Sequence, residues 1–102
     1  MLKAKNPYAD ISEKAFRQQV IDLAKIFGYK CYFSWTSIHS PRGFPDLVLC
    51  KDRVVFAELK TEIGKTSPYQ DEWIDALTRA GQEVYLWRPS QIEQIADILR
   101  GR

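Results

Sequence analysis

Two apolar runs, residues 46–50 and 54–60, are separated by only Lys51, Asp52 and Arg53. A gap that short joins neighbouring antiparallel strands in a hairpin and fixes which residues face each other. With a loop at 51–53, residue 48 stands opposite 56 and residue 46 opposite 58. Val48 and Phe56 then form a cross-strand pair, and Asp46 and Glu58 meet on the same face with Cβ atoms about 5 Å apart. Like charges so placed are destabilising, so a proton or a bound cation must offset them. Two carboxylates converging at strand ends are the usual oxygen ligands of Mg²⁺ or Mn²⁺. Lys60 leaves the same face roughly 6.6 Å beyond Glu58, within reach of water on such an ion or of a phosphate. Leu59 points to the opposite face, and its backbone carbonyl, between the two charged side chains, can complete an oxygen shell. A competing reading makes Asp46 and Glu58 surface residues at strand ends, with Lys60 as a neutralising neighbour. Val54 and Phe56 weigh against it, because a strand that passes from Val and Phe to Glu and Lys on one face is leaving the core at a cleft rim.

The rest of the chain supplies elements around this hairpin. Residues 1–9 read as a loose arm. Asp10 is placed as an N-cap, and Phe16, Val20, Leu23, Ala24 and Phe27 recur at helical spacing up to Gly28, so the spacing predicts an amphipathic helix over 11–27. Residues 29–35 are short and aromatic-rich, a strand, and 36–45 are a loop by composition. After a second loop at 61–66, Ser67 and Pro68 open a helix as N-cap and first helical residue. Trp73, Ile74 and Leu77 give this helix an apolar stripe, and Gly81 closes it. Residues 83–88 form a fourth strand, and Ser90 with Glu93 is a capping box for a last helix running to about residue 99. The order αβββαβα implies an α/β fold with a central mixed β-sheet flanked by helices.

At 102 residues the chain fits one domain, with no room for a second core. Its apolar runs are too short to span a bilayer, and no charged-then-apolar leader precedes them. Cys31 and Cys50 lack a CxxC spacing, which argues against a disulfide scaffold or a structural zinc site. The expected setting is reducing and cytoplasmic. A net charge of +2 is too small to indicate a nucleic-acid partner by itself.

Pro45-Asp46, eleven intervening residues and Glu58-Leu59-Lys60 resemble the PD-(D/E)xK nuclease signature. The surrounding text resembles one branch of it. Gly43-Phe44-Pro45-Asp46-Leu47-Val48, Phe56-Ala57-Glu58-Leu59-Lys60-Thr61, Gly64-Lys65-Thr66-Ser67-Pro68-Tyr69-Gln70, then Leu77 and Gly81, are similar to the VRR-NUC family of virus-type replication-repair nucleases. The resemblance runs from Glu13 to about Arg88 and implies a restriction-endonuclease-like fold in a minimal stand-alone member of the kind carried by phages. It matches Asp46 and Glu58 to the metal-binding acids and Lys60 to the lysine that positions or activates the attacking water. Glu13 matches an acidic residue on the first helix that completes the metal site, and Gln70 a supporting glutamine.

Helix capping competes for two of these residues. Glu13 is three residues after Asp10 and Gln70 three after Ser67, both N3 positions of capping boxes. Glu13 also lies on the stripe of Phe16 and Val20, where a carboxylate needs a partner. His39, the only histidine, sits in a polar loop; we expect it to contact substrate or to be neutral. Arg42, Lys65 and Tyr69 are candidate contacts to a nucleic-acid backbone. Trp35 is read as core before stacking platform, and Trp73 and Trp87 as core or interface.

The expected activity is metal-dependent endonucleolytic hydrolysis of DNA, with Mg²⁺ or Mn²⁺ the only cofactor. No basic recognition helix is evident, so shape is read rather than sequence. The resemblance also points to homodimers and to branched DNA such as four-way junctions, and a symmetric pair gives one site per strand. Alternatives are flap, fork, RNA-processing or restriction-type cleavage, or a non-catalytic binding subunit on the same fold.

Overall fold

The computed structural model describes residues 6–34 and 40–101. The elements run α1 (Glu13–Ile26), β1 (Lys30–Phe33), β2 (Leu47–Cys50), β3 (Val54–Leu59), α2 (Pro68–Arg79), β4 (Glu83–Trp87), a 3-10 turn at Pro89–Gln91 and α3 (Ile92–Arg100). The four strands lie side by side in chain order. The first two pairings are antiparallel and β3–β4 is parallel, so the sheet is mixed and α2 is the crossover. The hairpin register is the one its spacing predicts, with Val48 opposite Phe56 and Leu47 opposite Ala57. The Lys51 N–H donates to the Arg53 carbonyl to close the three-residue turn.

Alternation along the strands sorts the two faces. Leu47, Leu49, Val55, Ala57 and Leu59 are all buried on one face. They form a single core with Phe16, Val20, Ile21 and Ala24 of α1 and Ile95 and Leu99 of α3. Burying a side chain of this size contributes roughly 1.5–3 kcal/mol. The other face is covered unevenly. α2 packs along β4 with none of its residues fully buried, and Phe56 reaches it through an edge-to-face chain from Phe56 to Phe44 to Trp73. On β1 the same face stays open, and Tyr32 is 66% exposed.

Three boundaries differ from expectation. α1 is capped by Ser12, whose hydroxyl accepts from the Ala15 N–H at 3.0 Å, and not by Asp10. Asp10 stands instead in a hydrogen-bonded turn that begins at Asn6, so residues 6–9 are not a loose arm. The helix therefore starts two residues later than the sequence suggests, and Glu13 is its first residue. The Ser90–Glu93 capping box does not form. The Ser90 N–H donates to Glu62 at 3.1 Å, Gln91 accepts from the Arg88 N–H at 2.8 Å, and a 3-10 turn leads into α3. Trp35 and His39 lie outside the described residues. Among the described residues, no helix is long and apolar enough to cross a membrane.

Candidate active site

The site grows from the open end of the β2–β3 hairpin. Pro45 is buried and delivers Asp46 at the entry to β2. There Oδ2 of Asp46 accepts from the Leu59 N–H at 3.0 Å, so a side chain extends the strand pairing by one more bond. Continuing the register one step beyond Leu47–Ala57 puts Asp46 opposite Glu58. In an extended strand the N–H and C=O of one residue leave on the same side. The Leu59 carbonyl therefore faces Asp46 as its N–H does, while the Leu59 side chain is buried in the core.

Glu58 is 1% exposed, the one charged residue in the buried set. Its Oε2 accepts from Gln70 Nε2 at 2.8 Å and lies 3.8 Å from Lys60 Nζ. Its Oε1 is buried without a hydrogen-bond partner. Burial pushes the Glu58 carboxyl up to about 8. The Asp46 charge adds to the rise, Lys60 opposes it, and the charge of Glu13 adds a smaller contribution in the same direction as Asp46. Burial and the facing acid thus favour a proton on Glu58.

Gln70 both caps α2 and touches Glu58. Its Oε1 accepts from the Ser67 N–H at 2.9 Å and its own N–H donates to the Ser67 hydroxyl at 3.2 Å, closing a capping box at the start of α2. The remaining amide nitrogen reaches Glu58. Lys60 continues β3 toward β4 through its N–H, which donates to the Trp87 carbonyl at 3.0 Å.

Glu13 is less tightly gathered. It lines one cavity with Asp46, and its charge is felt at Glu58. Among the described residues, however, no group of three or more His, Cys, Asp or Glu side chains is close enough to hold a metal ion. The set brought together is Asp46, Glu58, Lys60, Gln70 and the Leu59 backbone, with Glu13 beside it. Since Ser12 caps α1, the N3 capping role does not apply to Glu13. The other candidates lie on the rim. Arg42 is exposed with its guanidinium 5.7 Å over the Tyr69 ring, and Lys65 is exposed in the loop between β3 and α2.

The donor set suits a hard divalent cation. A buried carboxylate oxygen with no donor, a second carboxylate facing it and a peptide carbonyl on the same side are all oxygen ligands. A cation there would take the place of the proton that burial favours on Glu58.

Two features escape the sequence reading. A cavity of about 600 Å³ opens beside the acids, walled in part by Tyr32, Phe44 and Trp73. Arg88 straps the loop after Lys60: its Nη1 donates to the carbonyls of Thr61 and Gly64 at 2.7 Å each and of Glu62 at 3.3 Å. Neither has a local sequence signal, since partners in both are brought together only by the fold.

The chain matches the model of the VRR-NUC domain over residues 7–91. Among solved structures it is similar to a VRR_NUC domain protein, at 18% identity and a TM-score of 0.70, covering 87% of this chain and 85% of that one. It is also similar to a second structure described as a VRR_NUC domain, at 21% identity and a TM-score of 0.69, covering 87% and 95%. At those identities the likeness speaks for the fold. No curated protein matches the chain. With 85 consecutive residues under the family model and the same arrangement of sheet and helices, this chain belongs to the VRR-NUC domain family and has its nuclease-type fold.

Proposed function

We propose that this protein is a metal-dependent phosphodiesterase acting on DNA, with Asp46, Glu58 and the Leu59 carbonyl holding Mg²⁺ or Mn²⁺ and Glu13 completing the set. The observation that carries the reading is Glu58, a buried carboxylate with one oxygen unpartnered and a second acid facing it. A site of this kind is costly unless it binds something positive. When bound, a divalent ion supplies Lewis acidity toward water and toward the scissile phosphate. Lys60 stands where it can orient the attacking water and balance negative charge growing on the phosphate. Gln70 fixes the Glu58 carboxylate, leaving Oε1 as its free ligand atom.

The substrate we infer is branched DNA, four-way junctions before flaps or forks, cut by a homodimer that offers one site to each of two strands. We assign Arg42, Lys65 and Tyr69, exposed on the rim, to the DNA backbone, and His39 to substrate contact. The test is cleavage of labelled junction, flap, linear duplex and RNA with Mg²⁺, Mn²⁺ or EDTA. Junction cutting that needs metal and falls at least ~10²-fold in Lys60→Ala, with the folded state intact, supports the reading. Binding without cutting under any ion would make the protein a binding subunit, and sequence-dependent cutting of plain duplex would make it a restriction-type nuclease.

A further inference from the structure

We propose that the cavity beside the acids receives an unstacked nucleobase, so that the strand is cut next to a nucleotide that has left its helix. The inference rests on the reading of Asp46, Glu58 and Lys60 as a phosphodiesterase site and names the form of DNA that site takes.

Three observations carry it. The first is where aromatic surface is left uncovered. Among the described residues the exposed aromatic side chains are Tyr32, Phe44 and Tyr69. Tyr32 and Phe44 wall the cavity together with the half-buried Trp73. Tyr69 lies just outside, against Gly43. Leaving large rings in water forgoes roughly 25 cal/mol for each Å² not buried. Their collection at one end of the sheet, at the mouth of the site, is therefore informative in a way that scattered exposure is not.

The second is how Phe44 is held. Gly43 has a φ of +92°, and a Cβ there would lie 2.4 Å from the backbone of Tyr69, so only glycine fits. This close approach pins the loop against α2. Phe44 is left with its ring edge-to-face with both Phe56 and Trp73 while 42% of the residue stays exposed. The ring is a fixed wall, pre-organised for a flat apolar partner.

The third is continuity. Glu13 and Asp46 line the same cavity as the rings. A phosphate brought to the acids has its own nucleoside within one nucleotide's reach of those walls. A base that is stacked and paired in duplex cannot present its face there, whereas an unstacked base can lie against them. The volume of about 600 Å³ falls within the ~300–1,000 Å³ typical of small-ligand sites. Arg17 also lines the cavity, its guanidinium 5.6 Å over the Phe33 ring, and offers planar donors to the edge of a base or to a neighbouring phosphate.

The experiment moves a single abasic residue, one nucleotide at a time, through the strands flanking the branch point of four-way-junction and flap DNA. Single-turnover cleavage by the wild type with Mn²⁺ is measured, together with binding of the same DNA by Lys60→Ala. At one position beside the cut bond, loss of the base should slow cleavage and weaken binding about tenfold. Tyr32→Leu, at an exposed strand position that leaves the core untouched, should impose a similar loss on intact DNA. The two losses should not add, because both remove the same stacking contact. Cleavage that is indifferent to the abasic residue at every position, or losses that add fully, overturns the inference while leaving the phosphodiesterase reading in place. Position-sensitive binding without cutting under any divalent ion has the opposite meaning: the base site stands and the chemistry assigned to the acids falls.

Discussion

Leaving a buried polar group without a partner costs roughly 1–3 kcal/mol, and more when the group carries a charge. Glu58 is in that position: Gln70 and Lys60 attend one oxygen, and the other has no donor. Without a cation, burial first and the facing Asp46 second favour the protonated form of Glu58 up to about pH 8. The consequence for stability has a definite sign. Because the folded-state pKa lies above the ordinary value of 4.5, the folded protein holds more protons than the unfolded chain between about pH 4.5 and 8. The stabilisation tied to Glu58 is complete below that window and is lost as the pH rises through it, at up to about 1.4 kcal/mol per pH unit. Urea denaturation in EDTA at pH 5.5, 6.5 and 7.5 should therefore show a midpoint that falls with pH. Glu58→Gln, which imitates the protonated form, should flatten the trend and abolish cleavage. At pH 7.5, Mn²⁺ at a hundred times its Kd should restore about 2.7 kcal/mol to the wild type and nothing to the variant. A wild-type midpoint insensitive to pH would mean that Glu58 is ionised without metal.

Each group of the site is aimed by an element. The β2–β3 hairpin sets Asp46 against Glu58, and the start of α2 aims Gln70. The loop between them is held by Arg88 at the end of β4, which ties the segment after Lys60 to the segment before Ser67. Arg88→Ala leaves three carbonyls without their guanidinium and should lower stability by about 1–3 kcal/mol. If the strap also sets the spacing of Lys60 and Gln70, kcat should fall at temperatures where the variant is fully folded while KM for DNA holds, with partial rescue by Arg88→Lys. A change in stability alone would limit Arg88 to scaffolding. The hairpin and the Ser67–Pro68 helix start were legible in the sequence because both are local: a three-residue turn dictates register, and an N-cap followed by proline dictates a first turn. The first helix misled because Asp10 and Ser12 can both cap, and only the turn from Asn6 decides between them. The Ser90–Glu93 box failed because Glu62, far away in sequence, takes the Ser90 N–H. The acid pair followed from spacing, whereas the isolation of one Glu58 oxygen depends on how α2 and β4 close around the hairpin.

On the proposed function, one site on a chain of 102 residues would cut one bond at a time, whereas resolving a four-way junction takes two cuts on strands related by a twofold axis. The two cuts come either from one domain that rebinds or from two domains held together, and the products differ. On a cruciform plasmid, independent domains release nicked circles first, and linear molecules accumulate only after a second encounter. A paired assembly yields linear product from the start. Mixing wild type with an equal amount of Lys60→Ala and allowing the subunits to exchange separates the cases further. In random pairs about a quarter carry two working sites and about half carry one, so early linear product should drop to about a quarter while nicked circles rise. If the domains act singly, the inactive protein competes for junctions and slows both cuts alike, so that at equal consumption of plasmid the ratio of linear to nicked DNA is unchanged. We expect the first pattern, together with a sedimentation coefficient for the free protein that increases with concentration toward that of a dimer. An unchanged ratio would remove the homodimer from the proposal and shift the preferred substrate to flaps and forks, where one incision completes the reaction.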